Sequence, residues 1–218
     1  MLAIIDYEAG NLTSVKLAVE HLGGASVVTS DPAVVASADR VIFPGVGYAE
    51  TCMTNLKRRG LDAALRAAYA AGKPLLAICI GMQLLFSTSA EGRDGAVPCL
   101  DLLAGEVVKF SFPASANSLA SAPKIPHMGW NAVVPRREHP LLKNFRPASE
   151  AYFVHSYYVA PRDAADIIAE TEYGGKIFPS MVGKNNLVAA QFHPEKSGAA
   201  GLQMLQNFIE WDGRAINN

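Results

Sequence analysis

At 218 residues the chain is long enough for one α/β domain with a full core. Half of the residues are hydrophobic, 18% are charged and the net charge is −1, which argues against nucleic acid or an anionic membrane as partner. The three cysteines, Cys52, Cys79 and Cys99, are odd in number and not closely spaced, which argues against a disulfide framework or a zinc site.

Residues 1–6 form an apolar run without a basic flank, too short for a signal peptide. No stretch is long enough to span a bilayer, so a soluble, cytoplasmic protein in a reducing compartment is expected. Residues 2–7 read as a first buried strand. Residues 11–22 follow as a helix with Leu12, Val15, Val19 and Leu22 on one face, and Gly23-Gly24 stops it. Residues 25–29 are a second strand, and Asp31-Pro32 opens a short helix as N-cap and first position. Val41-Ile42-Phe43 is a third strand that ends at Pro44-Gly45-Val46-Gly47. Helices are expected over 50–58 and 61–71. This alternation predicts an α/β fold: a three-layer, doubly wound, flavodoxin-like sheet, mostly parallel, with function gathered beyond the carboxyl ends of its strands.

The apolar run Leu75-Leu76-Ala77-Ile78 after Gly-Lys-Pro reads as the next strand, and Gly81-Met82-Gln83-Leu84 as a helix. Between them Ala77-Ile78-Cys79-Ile80-Gly81 places a nucleophilic residue type with a small residue two positions to either side. A nucleophile elbow needs that shape, because its two arms approach closely while one side chain is lifted from the sheet. A helix N-terminus there would favour a thiolate. The competing reading is a buried core cysteine.

After Phe86 the rhythm changes. Residues 105–110 read as a strand and 111–122, rich in Ala, Ser and Pro, as a surface loop. Strand-like runs at 130–134, 152–159, 167–172 and 187–192 suggest an antiparallel extension of the sheet. A last helix over 199–211 turns Leu202, Leu205, Phe208 and Ile209 inward. His127, His155, Cys52 and Cys99 read as structural, and His21 and His139 as surface residues.

A thiolate needs an acid or base beside it, and that group needs an orienter. In Gln191-Phe192-His193-Pro194-Glu195 the His and Glu are two apart, so on extended chain both face one side. Pro194 lacks an N–H, so the strand ends there. Taken alone, the pattern is equally an ordinary strand end. The backbone N–H of Ile80 and one from the Gly45–Gly47 loop are candidate oxyanion donors.

These stretches resemble the class I (triad) glutamine amidotransferases. Asp6-Tyr7 through Gly10-Asn11-Leu12, Pro126-His127-Met128-Gly129-Trp130-Asn131 and Tyr152-Phe153-Val154-His155-Ser156-Tyr157 narrow the resemblance. With Phe178-Pro179-Ser180 and Glu195-Lys196-Ser197-Gly198, they are similar to the glutaminase subunits of imidazole glycerol phosphate synthases of histidine biosynthesis. The similarity runs over nearly the whole chain, which implies one amidotransferase domain over 1–218. It implies Cys79 as nucleophile, His193 as acid and base, Glu195 as its orienter, and Val46 and Ile80 as oxyanion donors. It implies that Gly47, Gln83, Glu91, Ser156 and Tyr157 hold glutamine. Asn11, Trp130, Asn131, Tyr152 and Lys196 are implied to face a partner.

That partner is implied to be a (β/α)8-barrel cyclase in a heterodimer, using the released ammonia to make imidazole glycerol phosphate and an aminoimidazole carboxamide ribotide. No cofactor or metal is expected. A domain of this size has no room for a second, ammonia-using centre, which supports a docked partner. The resemblance also implies that the subunit alone is nearly idle, and a glycine-flanked peptide that flips at 45–47 gives a physical route. Two departures stand out: Ala77 replaces a usual Gly, and Glu8-Ala9 stands where Gly and another small or apolar residue are usual. Alternatives are a glutaminase of anthranilate or carbamoyl phosphate synthesis, a stand-alone γ-glutamyl cysteine hydrolase, and a non-catalytic scaffold.

Overall fold

Strands that are hydrophobic and buried at every position must be covered on both faces. Three such strands, Leu2–Ile5, Leu75–Ile78 and Leu187–Ala190, lie in the main sheet of this computed structural model. The structure describes residues 1–10, 12–112, 123–146 and 148–214. Asn11 and nearly all of the expected Ala/Ser-rich loop therefore lie outside the described residues.

The first half alternates as its periodicity predicts: β1 (Leu2–Ile5), α1 (Leu12–His21), β2 (Ser26–Thr29), α2 (Pro32–Ser37), β3 (Arg40–Phe43), α3 (Ala49–Arg58), α4 (Leu61–Ala70), β4 (Leu75–Ile78) and α5 (Ile80–Leu84). The Asp31 carboxylate caps α2 by accepting the Ala33 N–H at 2.8 Å, with Pro32 in the first turn. The second half holds β5 (Thr88–Ser89), β6 (Val97–Pro98), β7 (Gly105–Lys109), β8 (His127–Ala132), β9 (Val134–Pro135), β10 (Glu150–His155) and β11 (Tyr157–Pro161). It closes with β12 (Ile167–Tyr173), β13 (Lys176–Lys184), β14 (Leu187–Ala190) and α6 (Gly198–Glu210).

The main sheet has eight strands in the order β2-β1-β3-β4-β14-β13-β12-β9. The first five are mutually parallel and the last three add antiparallel. Because side chains alternate across a strand, neighbours go to opposite layers. Ile5, Phe43, Leu75 and Ala77 pack with α3 and α4, whereas Ile4, Ile42, Leu76 and Ile78 pack with α1 and α6. Each fully buried aliphatic side chain contributes about 1.5–3 kcal/mol of burial. On α6 the large apolar side chains that are buried are Met204, Leu205 and Phe208, with Leu202 and Ile209 only half-buried. No helix among the described residues is long and apolar enough to cross a membrane.

Four expectations need correction. The run expected as one strand over 152–159 breaks at Ser156, and its halves join different sheets, β10 with β8 and β11 with β7. The break turns backbone toward the cavity described below. The run at 130–134 starts earlier, at His127, and divides at buried Val133. The antiparallel extension is therefore smaller than expected; β8 and β10 form a ribbon, and β11-β7-β5-β6 a four-stranded sheet. Strand β13 escapes sequence reading because Pro179 and Gly183 read as breakers; Pro179 is tolerated opposite Glu170, beside a register shift in β12. Finally, His139 is buried, not on the surface. Its Nδ1 accepts the Leu141 N–H at 3.2 Å, and its ring meets Trp211 edge-on at 5.3 Å.

Candidate active site

Cys79 stands between β4 and α5 with φ 56° and ψ −113°, a left-handed backbone that a residue with a Cβ rarely adopts. Its N–H donates to Ala190 O at 2.8 Å, which ties the bend to β14. Gly81 explains the closeness of the two arms: a Cβ there would lie 2.1 Å from Phe43 O at the end of β3. Ala77 sits in register with Ala189, so two small side chains meet where the usual Gly is absent. Cys79 is only 6% exposed, but its sulfur faces a cavity and polar groups. Gln191 Nε2 lies 3.8 Å from it and Val154 O 3.9 Å. Helix α5 has five residues, so its dipole is small and a thiolate must rely on other positive charge.

His193 supplies that charge. Its Nδ1 lies 2.9 Å from Glu195 Oε1, and the two side chains are 5% and 2% exposed. The pair forms through a one-turn 3₁₀ helix, Pro194–Lys196, and not along extended chain as the spacing suggested. The His193 N–H donates to Tyr152 O at 3.0 Å, and Ser197 Oγ donates to His193 O at 2.6 Å, so the backbone is pinned. The free nitrogen, Nε2, makes no hydrogen bond of ordinary geometry. The Cys79 sulfur nevertheless acts on the ring electrostatically. Burial opposes the imidazolium, but the sulfur and the Glu195 carboxylate outweigh burial and hold its pKa up to about 10.

A cavity of about 250 Å³ opens beside the sulfur. Val46, Gly47, Cys79, Ile80, Gln83, Glu91, Ser156 and Tyr157 all line it, so every expected oxyanion and glutamine-holding residue is brought to one wall. Gln83 is no solvated helix residue: it is 3% exposed, and Nε2 donates to Tyr157 O and to Gln191 Oε1, both at 3.0 Å. Glu91 Oε2 accepts the Ala49 N–H at 3.0 Å, at the start of α3. Burial pushes the Glu91 carboxyl above its ordinary range, against the pull of that N–H and of Lys109. A second cavity of about 340 Å³ shares Glu91 and Tyr157 with the first and leads outward past Tyr48.

The Gly45–Gly47 loop closes the near side. A Cβ on Gly45 would fall 1.7 Å from the Tyr7 hydroxyl, so only glycine fits against that ring. Behind it the buried Cys52 thiol lies 3.8 Å from Val46 O, and burial pushes its pKa up to about 12, which makes it inert. Val154 and His155, the latter read as structural, also line the cavity, and Gln191, two positions before His193 and given no role from sequence, bridges Gln83 to the sulfur. Trp130 is 54% exposed rather than core and meets Tyr152 edge-on at 6.2 Å. Lys196 is exposed. The Asn131 amide is engaged inside the chain, with Glu172 O, the Ala132 N–H and His127.

A cysteine lifted at the carboxyl edge of a doubly wound sheet, with a carboxylate-held imidazole beside it, is the arrangement of a cysteine-nucleophile site, a class that holds amidotransferases and cysteine hydrolases alike. The profile described as "Glutamine amidotransferase class-I" matches residues 3–211. "Imidazole glycerol phosphate synthase subunit HisH" of Aromatoleum aromaticum is 52% identical over 211 residues, covering 96% of this chain and 97% of its own. The subunit of the same name from Dechloromonas aromatica is 48% identical over 212 residues, covering 96% of each chain. A solved glutamine amidotransferase superposes with TM-score 0.71 at 16% identity, covering 95% of this chain and 97% of its own, a likeness of fold. The chain belongs to the class-I glutamine amidotransferases and, within them, to the HisH subunits of imidazole glycerol phosphate synthase.

Proposed function

We propose that this chain is the glutaminase subunit of an imidazole glycerol phosphate synthase and that Cys79, His193 and Glu195 are its triad. The observation that carries the assignment is the 2.9 Å His193–Glu195 pair, whose imidazole interacts with Cys79, the sulfur that lines the cavity. The Cys79 thiolate attacks the side-chain carbonyl carbon of glutamine. The oxyanion is held by the N–H groups of Val46 and Ile80. His193 Nε2–H gives its proton to the departing nitrogen, which leaves as ammonia, and a thioester remains. The neutral imidazole then takes a proton from water, and the hydroxide formed attacks the thioester. Glutamate leaves, and the thiolate and imidazolium are restored. Glu195 stays ionised throughout and fixes the tautomer of the ring.

Gln83 and the backbone at Gly47, Ser156 and Tyr157 hold the substrate, with the Glu91 carboxylate at its α-ammonium. Residues 1–218 act as one domain in the cytoplasm. The ammonia goes to a (β/α)8-barrel cyclase that completes a heterodimer, docked over Asn11, Trp130, Asn131, Tyr152 and Lys196. In water free ammonia would be protonated, so a sheltered route matters. Two experiments test the reading. A glutamine-analogue alkylator should label the wild-type protein and not Cys79→Ala. The cyclase with its nucleotide ligand should raise glutamine turnover by orders of magnitude; equal turnover by the isolated chain would sink the reading.

A further inference from the structure

Two buried histidines, His127 and His155, take no part in the chemistry above. They are 2% and 6% exposed, and they touch: His127 Nδ1 lies 3.0 Å from His155 Nε2. Both ends of this pair are fixed. His155 Nδ1 lies 2.7 Å from Tyr157 O, a carbonyl that can only accept. His155 must therefore carry its proton on Nδ1. Burial drives its pKa down to about 3, so the ring is neutral and Nε2 is an acceptor. His127 must then donate from Nδ1. Burial lowers its pKa to about 4, so its Nε2 accepts in turn.

The far end demands the same direction independently. Asn131 Oδ1 accepts the Ala132 N–H at 2.8 Å and Nδ2 donates to Glu172 O at 2.8 Å, which fixes the amide. That same Nδ2 reaches His127 Nε2 at 3.2 Å as a donor. The chain of bonds continues past Tyr157. Its carbonyl also accepts from Gln83 Nε2, which donates to Gln191 Oε1, whose amide nitrogen faces the Cys79 sulfur at 3.8 Å.

The origin of the chain lies on β8. Alternation along that strand puts His127 and Asn131 on its inner side and exposes Met128 and Trp130, at 62% and 54%, on its outer side. We propose that His127 and His155 are positioning residues in a hydrogen-bond chain, one-directional from Asn131 to the Tyr157 carbonyl, that joins the outer docking strand to the cavity wall near Cys79. Pressure on Met128 and Trp130 moves the inner side of the same strand. That movement reaches the Tyr157 carbonyl and the Gln83 and Gln191 amides, which shape the slot for the glutamine amide. The inference rests on the reading that the β8 face meets the cyclase.

Two measurements test it. In the isolated chain, with nitrogen-labelled histidine, long-range proton–nitrogen NMR correlations should show both rings as the Nδ1–H tautomer. The second measurement is glutamine turnover in the complex with the cyclase and its nucleotide ligand. His127→Phe keeps the stacking on Phe153 and Tyr173, at 4.8 and 4.1 Å, but breaks the chain. It should lower stimulated kcat about tenfold while moving the glutamine KM by less than about twofold. His127→Asn, whose amide N–H stands near the Nδ1 position, should recover part of the loss. Should His127→Phe fail to fold, Asn131→Asp at saturating cyclase serves instead, because a carboxylate cannot donate to His127; the same loss of kcat is expected. An Nε2–H tautomer on either ring overturns the proposal, as does a wild-type stimulated kcat in the chain-breaking variant that folds. A wild-type chain that the cyclase does not stimulate overturns the docking reading and the coupling with it, a failure the tautomers keep separate.

Discussion

Cys79 occupies a backbone conformation that costs about 1–3 kcal/mol for a residue bearing a Cβ, and its neighbours hold it there. The tightest of these is Gly81 against Phe43 O, a backbone atom with nowhere to go. Gly81→Ala should therefore destabilise the protein by about 1–3 kcal/mol and sharply reduce glutamine turnover, read by urea unfolding and by assay of the complex. Glu195→Gln probes the next link, since it keeps the shape of the carboxylate and removes its charge. Stimulated kcat should fall about 10²–10⁴-fold. The same variant has a stability signature. The pKa of His193 is raised from about 6.5 in the unfolded chain to about 10, so its contribution is whole below pH 6.5 and is lost as pH rises toward 10. Wild type should lose more stability than Glu195→Gln between pH 7 and 10; parallel losses would show that the ion pair is not what holds the proton. At this scale the bend at Cys79 was legible, because small residues around one cysteine have a steric meaning. Gln83 came from the resemblance alone, because its partners Tyr157 and Gln191 lie 74 and 108 positions further along the chain. Glu8 shows the same limit: its φ of 64° explains why glycine is usual there, and its ion pairs with Arg58 and Arg59 compensate.

The elements that periodicity found are those with one partner-independent pattern: the amphipathic helices and the all-apolar parallel strands. The ones it merged or missed, β10 with β11 and the Pro-bearing β13, are defined by which sheet they join, and that is a long-range fact. His139 is a further case, since a polar residue outside any predicted element reads as surface, whereas His127 and His155 read as structural. His139, His127 and His155 are all buried and neutral, with burial lowering them to about 4, 4 and 3. Each depressed base contributes stability that is present above its unfolded pKa of about 6.5 and is lost as pH falls toward its folded value. At about 1.4 kcal/mol per pH unit, these losses rival a whole domain's stability of about 5–15 kcal/mol. Urea midpoints should therefore collapse between pH 6.5 and 4. His139→Asn keeps an acceptor for the Leu141 N–H without titrating, and should flatten that slope by about one proton. An unchanged slope would remove His139 from the account.

For the whole molecule, the fold brings a sulfur from β4 and an imidazole from beyond β14 to one edge because those strands are direct neighbours in the sheet. Sequence order hid that adjacency; resemblance supplied it. What the chain leaves unfinished is its outer face. Met128 and Trp130 expose large apolar surface on a two-stranded ribbon, with Tyr152 against the indole. A monomer gains nothing from such a patch, and the docking proposed for this face would bury it. Large aromatics at the centre of an interface carry a disproportionate share of its energy, on the order of 2 kcal/mol or more on truncation. Trp130→Ala should then weaken cyclase binding about 30-fold, measured by titration calorimetry, since each 1.4 kcal/mol is about a factor of ten. Because the indole is more than half exposed in the isolated chain, its unfolding temperature should stay within a few degrees of wild type. A variant that binds the cyclase as tightly as wild type would move the interface off β8, while one that unfolds would mean the indole belongs to the core after all.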